Sequence, residues 1–302
     1  MNRLSLYTRL YGVLHNYKGI HFRLLSPFRY LVRRSANRVL PYYLQNNHQA
    51  LKGVVKKDLI VSFTSFPARI NIVWMVVESL RNQSVLPEKV VLWLSKDQFP
   101  DCKIPDSLSS QIDDFFEVRF VEGDIRSHKK YYYALKEYPD KSIITVDDDI
   151  FYHPDTIKYL VKSAETYPEA IIGNIVKIVT KTDNTISPYA SWPYMMKSGT
   201  ASNLIPIGAG GVLYPAHSLD PIVLREDLFM KLAPMADDLW LNVVSRYTGT
   251  KVAHSKTNLL FLEIQSDAPS LASVNNGLGR NDVQLADILE YFKSEHNHEI
   301  YE

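Results

Sequence analysis

Cysteine is nearly absent from this chain of 302 residues, which contains only Cys102. A single cysteine cannot form an internal disulfide, and it excludes a zinc site built from several cysteines. No apolar run reaches the roughly 18 residues that a membrane-spanning helix needs. The N-terminus also lacks the compact apolar core and small-residue cleavage site of a signal peptide. These absences predict a cytoplasmic protein.

Acidic residues are missing from residues 1–57, although the whole chain has a net charge of only +1. This segment contains eleven Lys or Arg residues, interleaved with aromatic and aliphatic side chains at roughly helical spacing. We expect a basic amphipathic segment that docks on an anionic membrane surface, at the inner face of the plasma membrane. The alternative is that its apolar face packs on the rest of the fold. No recognition motif accompanies the charge, so we expect no nucleic acid partner.

The remaining residues, 58–302, contain a regular alternation of strand and helix patterns. Strands are predicted over residues 58–64, 88–94, 117–121 and from residue 142, and helices over residues 70–81, 105–116 and 127–138. This alternation predicts an α/β domain with a mostly parallel sheet flanked by helices. Beyond it, we expect a helix over residues 154–167, strands within 170–180 and 251–254, and a helix over 281–295.

Three carboxylates, Asp147, Asp148 and Asp149, end the apolar β-branched run that begins at Ser142. Strand alternation predicts that Asp147 and Asp149 project to one side and Asp148 to the other. Mg²⁺ and Mn²⁺ prefer such oxygen ligands, and ligands of open α/β sheets bind beyond the carboxyl ends of the strands. The alternative is an acidic turn that caps the helix beginning near Pro154.

The loops after the predicted strands carry hydroxyls, a carboxylate and cations that could bind a nucleotide diphosphate. Individually, such residues can equally be solvated loop charges. The candidates are Thr64, Ser65, Arg69, Asp124, Lys129 and Lys130.

Later segments add glycines, an acidic pair and a histidine. The glycines at 208, 210 and 211 permit positive φ angles or close approach to a ligand, but they lack the GxGxxG spacing. Asp237 and Asp238 open a predicted helix, where the helix dipole favours negative charge; capping is the alternative role for one of them. Side chains of successive helical residues point about 100° apart, so only one of the two should face a site. His254 ends a short strand and is either structural or a metal ligand.

The order of these motifs resembles the GT-A glycosyltransferases, in particular bacterial sugar transferases of polysaccharide and lipooligosaccharide assembly. The resemblance covers about Asp58 to Ser255. It implies a GT-A fold, with a nucleotide-binding sheet and a smaller mixed acceptor-side portion. It also implies that Asp147 and Asp149 form the Asp-x-Asp motif that holds Mn²⁺ or Mg²⁺, with His254 as a further ligand.

The resemblance also assigns the remaining motifs. Asp148, Gly210 and Gly211 join the donor-binding residues. Asp238 matches the general base of inverting members, and Asp237, which replaces the glutamate of the family motif, is the alternative.

We therefore expect a hexosyltransferase that moves a sugar from a nucleotide sugar to a hydroxyl of a growing cell-surface glycan. The expected donor is a UDP sugar. The acceptor would be a glycan or a lipid-linked glycan. One alternative is a sugar nucleotidyltransferase, but the loop from Phe63 to Arg69 lacks the glycines that this class carries after its first strand. The other is a glycan-binding protein with a degenerate site.

Overall fold

The computed structural model describes residues 2–15, 23–46, 51–255, 257, 262–268 and 279–301. Two helices come first, followed by the predicted alternation of strands and helices. In chain order, the elements of this first half are α1 (Arg3–His15), α2 (Ser26–Asn46), β1 (Val54–Thr64), α3 (Val73–Arg81), β2 (Val85–Ser95), α4 (Asp106–Ser109), β3 (Phe116–Val121), α5 (Lys129–Glu137) and β4 (Ser142–Thr145).

The second half contains shorter strands and less regular connections. Its elements are β5 (Ile150–Phe151), α6 (Thr156–Thr166), β6 (Ile171–Gly173), β7 (Val176–Ile178), β8 (Lys181–Thr182), β9 (Thr185–Ile186), β10 (Gly199–Ala201), β11 (Leu204–Pro206), β12 (Val212–Tyr214), α7 (Glu226–Leu232), α8 (Asp237–Tyr247), β13 (Val252–His254), β14 (Leu262–Glu263) and α9 (Arg280–His296).

Eight strands form the central sheet in the order β10-β13-β6-β12-β4-β1-β2-β3. β1 is parallel to both β2 and β4, and β2 is parallel to β3. β12 runs antiparallel between β4 and β6. The predicted α/β class with a mostly parallel sheet is therefore confirmed. β2 and β3 lie on one side of β1 and β4 on the other, so the strand order reverses between β1 and β4. A crevice for ligands opens at such a switch point, beyond the carboxyl ends of the strands.

Strand alternation places the core on both faces of this sheet. Val61 and Phe63 of β1 belong to one apolar cluster with α3, whereas Ile60 belongs to another with Trp93 and Ala134 of α5. Successive side chains of a strand point to opposite faces, so the continuous apolar run of β1 is buried on both sides.

The N-terminal helices pack on the first of these clusters. Leu4 and Tyr11 of α1 and Ala36, Leu40 and Leu44 of α2 are buried there. The packing alternative is thus realised for one face of each helix. β1 begins at Val54, so the predicted boundary between residues 57 and 58 lies inside this strand. Within the described ranges, no helix combines the length and the apolar character that crossing a membrane requires.

The helix predicted over residues 105–116 is wrong beyond Ser109. The side chain of Asp113 accepts hydrogen bonds from the backbone N–H groups of Phe115 and Phe116, at 3.0 and 2.9 Å. An aspartate that binds backbone groups two and three residues ahead stabilises a turn instead of a helix. The chain therefore turns here and enters β3 directly.

Candidate functional site

The three consecutive carboxylates lie in a turn and not on an extended strand. β4 ends at Thr145, and the backbone N–H of Asp147 donates to the hydroxyl of Tyr152 at 2.8 Å. The Nη1 atom of Arg69 lies 2.7 Å from Asp148 Oδ1 and 2.9 Å from Asp149 Oδ2. The prediction that Asp149 projects to the side opposite Asp148 is therefore wrong, because strand alternation stops where the strand ends.

Arg69, Ser65 and Asp148 connect the ends of the two strands at the switch point. Ser65 Oγ donates to Asp148 Oδ2 at 2.5 Å, and the side chains of Arg69 and Asp148 are only 9% and 7% exposed. Burial raises the pKa of Asp148, while Arg69 and Ser65 act in the opposite direction. The contacts of Asp148 are therefore to the protein itself, where it fixes Arg69 beside Asp149.

We call the turn that carries Asp147, Asp148 and Asp149 the acid turn. A second cation, Lys130, joins this turn to the start of α8. Its Nζ atom lies 3.1 Å from Asp147 Oδ1 and 2.8 Å from Asp237 Oδ2, and its side chain is 6% exposed. Burial lowers the pKa of Lys130, but its carboxylate neighbours outweigh burial and hold that pKa well above its usual value. Asp238 accepts a hydrogen bond at 3.0 Å from the backbone N–H of Gly208. The structure thus brings the two predicted acidic motifs together.

We define the acidic cluster as the five carboxylates of Asp147, Asp148, Asp149, Asp237 and Asp238 together with the two cations Arg69 and Lys130. Negative charge exceeds positive charge in this cluster. Burial, together with Asp147 and Asp148, raises the pKa of Asp149 to about 7. Burial and Asp237 raise the pKa of Asp238 to about 7 as well. A divalent cation would relieve this repulsion. Mg²⁺ is commonly bound by one or two carboxylates plus substrate phosphates, so a pair of carboxylates would be enough to hold such an ion here.

His254 does not fit the role of a metal ligand. Its Nδ1 and Nε2 atoms lie 3.0 and 3.2 Å from the backbone carbonyl oxygens of Lys197 and Asn174, so both ring nitrogens face the protein. Across the described residues, no group of three or more His, Cys, Asp or Glu side chains is arranged to hold a metal ion. Any ion at Asp147 and Asp149 would need the remaining ligands from its substrate and water.

Gly208 brings the backbone close to the acidic cluster, whereas Gly210 and Gly211 serve packing. A Cβ atom on Gly208 would lie 2.9 Å from Lys130 Nζ and 3.1 Å from Asp238 Oδ1. A Cβ atom on Gly210 would instead meet the backbone N of Ile175 at 2.8 Å. Gly211 has a φ of +81°, and the atoms nearest to a Cβ there would be side-chain methyl carbons. The structure therefore does not place Gly210 and Gly211 against the carboxylates.

The other predicted donor-binding residues lie at the ends of the neighbouring strands and are paired within the protein. Thr64 Oγ1 donates to the carbonyl oxygen of Trp93 at 2.8 Å. Lys129, whose side chain is 2% exposed, forms an ion pair with Asp124. Asp124 also accepts a hydrogen bond from Gln98 at 2.8 Å. Asp124 and Lys129 thus form a separate polar group beyond β2 and β3.

Two tyrosines contact or approach the acidic cluster without having been predicted. Tyr152 accepts from the backbone of Asp147 and is 3% exposed. Tyr189 lies between β9 and β10; burial, then Asp238, raises the pKa of its phenol. Tyr152 follows Asp147 by five residues in the same turn, whereas Tyr189 lies about fifty residues from Asp238 and is brought near it by the tertiary fold.

Gly208→Ala is expected to lower the free energy of unfolding by about 1–3 kcal/mol, the usual effect of overpacking a filled site. The new methyl group must displace Lys130 Nζ, which is buried and held between two carboxylates. Chemical denaturation measures the effect. Unchanged stability would show that Nζ can move freely, and would contradict the tight placement of Lys130.

No family model matches the chain, and no curated protein matches it in sequence. Among solved structures, it is similar to S. aureus TarS in complex with UDP, at 12% identity over 79% of this chain and 72% of that chain, with a TM-score of 0.44. It is also similar to 4-diphosphocytidyl-2C-methyl-D-erythritol synthase from Anaerococcus prevotii, at 11% identity over 76% and 96% of the two chains, with a TM-score of 0.42. A third similar structure is UDP-glucose pyrophosphorylase from Acinetobacter baumannii, at 8% identity over 79% of this chain and 94% of that chain, with a TM-score of 0.40. Likenesses this weak do not identify a reaction.

Proposed function

We propose that this chain is a metal-dependent glycosyltransferase of the GT-A type, which moves a sugar from a nucleotide sugar to a hydroxyl of a glycan. The observation that carries the proposal is the acidic cluster at the switch point between β1 and β4, where five carboxylates surround two buried cations. A nucleotide diphosphate is itself anionic, so it would enter this cluster together with a divalent cation.

Asp147 and Asp149 would hold Mg²⁺ or Mn²⁺ at the donor side. When bound, the ion would neutralise charge on the leaving diphosphate. Arg69 and Lys130 sit on either side of the acid turn, each held by carboxylates, and add fixed positive charge at the same place. The hydroxyl of Thr64 lies at the end of β1 and the carboxylate of Asp124 beyond the end of the edge strand β3, and a nucleoside would extend from the diphosphate towards them.

Asp238 is the better of the two candidate bases for the acceptor hydroxyl. Asp237 is 7% exposed and forms an ion pair with Lys130. Burial raises the pKa of Asp237, but Lys130 and other neighbours outweigh burial and leave that pKa below its usual value. Asp238 is partly exposed and has a pKa raised to about 7. A base with a pKa near the working pH accepts a proton efficiently.

The loop between β1 and α3 favours glycosyl transfer over nucleotidyl transfer. It contains no glycine, and it contributes the side chains of Ser65 and Arg69, which bind Asp148. A nucleotidyltransferase is expected to carry a glycine-rich loop at this point, whose backbone lies against the phosphates. Assaying hydrolysis and transfer with UDP, GDP and CMP sugars, alongside pyrophosphate exchange, separates the two reactions and identifies the donor nucleotide.

The first test is the combined stabilisation by Mn²⁺ and UDP. Near pH 8, saturation at about 100 times Kd should add about 2.7 kcal/mol to the free energy of unfolding, measured by thermal denaturation. The folded-state pKa of Asp149, about 7 against an ordinary value of 3.8, means that protons stabilise the ion-free protein below neutral pH. This contribution is lost as the pH rises through about 7, where the deprotonated carboxylate becomes free for the metal. The stabilisation should therefore shrink near pH 5.5.

Asp149→Asn should remove most of this stabilisation, whereas the matched control Asp140→Asn should keep it. Asp140 is 86% exposed and its contact in the described residues is with His217. If Asp149→Asn responds to Mn²⁺ and UDP as the unmodified chain does, the ion is not held at the acid turn. If the ligands stabilise neither protein, the nucleotide-sugar proposal itself fails.

A further inference from the structure

The two N-terminal helices form an antiparallel layer on the domain. The hydroxyl of Tyr7 lies 2.8 Å from that of Ser35, and Arg29 Nη1 donates to the carbonyl oxygen of Leu14 at 3.4 Å. These contacts place the end of α1 beside the beginning of α2. Because each helix buries one side in the core, the opposite sides of both helices face away from the domain.

This outward side is apolar, which is unusual for the exposed face of a helix. On α1, Leu6, Leu10 and Val13 are 46%, 43% and 56% exposed. Their i, i+4, i+7 spacing places them on one stripe, about 140° around the helix from the buried Leu4 and Tyr11.

The same spacing recurs at α2, where Phe28 and Leu31 are each 58% exposed. Leu24, just before the helix, is 64% exposed. An exposed apolar stripe on each of two packed helices marks an interaction surface. We call the surface formed by Leu6, Leu10, Val13, Leu24, Phe28 and Leu31 the outer face.

The charge that residues 1–57 contribute to this surface has one sign. Residues 1–57 contain no Asp or Glu. Among the described residues, only Arg9 of the exposed arginines lies near a carboxylate, with Asp155 at 3.8 Å. The exposed arginines of this segment are Arg3, Arg9, Arg23, Arg34 and Arg38.

We propose that the outer face docks on an anionic phospholipid bilayer. Its apolar side chains would enter the boundary between headgroups and acyl chains, while the arginines would contact lipid phosphates. A second copy of the chain is a poorer partner, because a two-fold contact would bring the same uncompensated arginines together from both copies. This proposal goes beyond the transfer reaction and does not rest on it.

Docking there would hold the acidic cluster at a fixed distance from the lipid surface. Asn37 of α2 donates to the carbonyl oxygen of Glu263 at 3.0 Å and accepts from the backbone N–H of Gln265 at 2.8 Å. Between them, the N–H of Ile264 donates to the carbonyl oxygen of Asp149 at 2.7 Å. α2 is thus connected to the acid turn through the strand β14.

The experiment is co-sedimentation of the full chain with vesicles of phosphatidylcholine alone or mixed with phosphatidylglycerol. We expect binding to the mixed vesicles and much weaker binding to the neutral ones. Leu10→Gln with Leu31→Gln should weaken binding about tenfold or more, since both side chains would lose their burial in the bilayer. The matched pair Ile112→Gln with Val283→Gln, at 48% and 61% exposure on other surfaces, should bind as the unmodified chain does.

The charge variant Arg34→Gln with Arg38→Gln should weaken binding to the anionic vesicles by about 30-fold, from about 1 kcal/mol for each arginine, and should reduce its salt dependence. Equal binding to neutral and anionic vesicles would overturn the proposal, as would equal loss in the Ile112/Val283 pair. Sedimentation velocity provides the remaining outcome. A dimer that Leu10→Gln with Leu31→Gln dissociates would make the outer face a contact between copies, and would also overturn it.

Discussion

Lys130→Met is expected to lower the free energy of unfolding by about 3–5 kcal/mol near pH 8. Methionine nearly matches the volume of the lysine side chain but removes the charge that lies 2.8 Å from Asp237 and 3.1 Å from Asp147. Asp237 is buried, with a side chain that is 10% exposed. Deleting one partner of a buried ion pair leaves the other charge without compensation, and this accounts for the size of the effect.

The loss should be smaller near pH 5.5 than near pH 8. Without Lys130, the pKa of Asp237 in the folded chain rises above its unfolded value, so the folded state binds more protons than the unfolded state in this range. Protonation then neutralises the carboxylate that the lysine had compensated. Chemical denaturation at both pH values measures the difference.

The matched control is Lys141→Met. Lys141 Nζ lies 2.6 Å from Glu88, but the two side chains are 30% and 37% exposed. Solvent screens such a pair, so we expect a loss of about 0–1 kcal/mol. If Lys130→Met costs no more than Lys141→Met, then Lys130 does not hold the acidic cluster together.

β1 and β2 were predictable because residues 59–63 and 90–95 are buried on both faces of the sheet and read as continuous apolar runs. The edge strand β3 is mostly half-buried and alternates apolar with polar residues. The positions of all three strands followed from the sequence to within a few residues. The second half has strands of two or three residues, too short to show any periodicity. Their pairing depends on neighbours far away in the chain, which sequence patterns do not show.

The acid turn shows why the orientation of a candidate site residue is harder to predict than its place in the chain. The position of the carboxylates after β4 followed from the β-branched run. The directions of their side chains did not follow from it, because the hydroxyl of Tyr152 accepts a hydrogen bond from the N–H of Asp147 and the chain turns away from the strand. Arg69 then forms an ion pair with Asp149, and Lys130 forms one with Asp147. The ligand roles of these residues stay predictions.

Asp238→Asn is expected to lower the rate of sugar transfer by about 10²–10⁴-fold, the usual contribution of a general base. Asparagine keeps the shape of the side chain and can still accept the hydrogen bond from Gly208, but it cannot take a proton from the acceptor hydroxyl. Stabilisation by Mn²⁺ and UDP should persist in this variant, because the donor side is intact. A variant that lost stabilisation and transfer together would show a binding role for Asp238.

The role of Asp238 as the base also leads us to expect that sugar transfer depends on pH. Because the pKa of Asp238 is raised to about 7, the carboxyl is protonated and inactive as a base at lower pH. At saturating metal ion and donor, kcat should fall about tenfold per pH unit below about 7, whereas Asp238→Asn should show no such dependence. Asp237→Asn should affect stability first, since Asp237 pairs with Lys130. If Asp237→Asn instead removes the pH dependence and Asp238→Asn keeps it, the base is Asp237, and the ion pair with Lys130 must open before transfer.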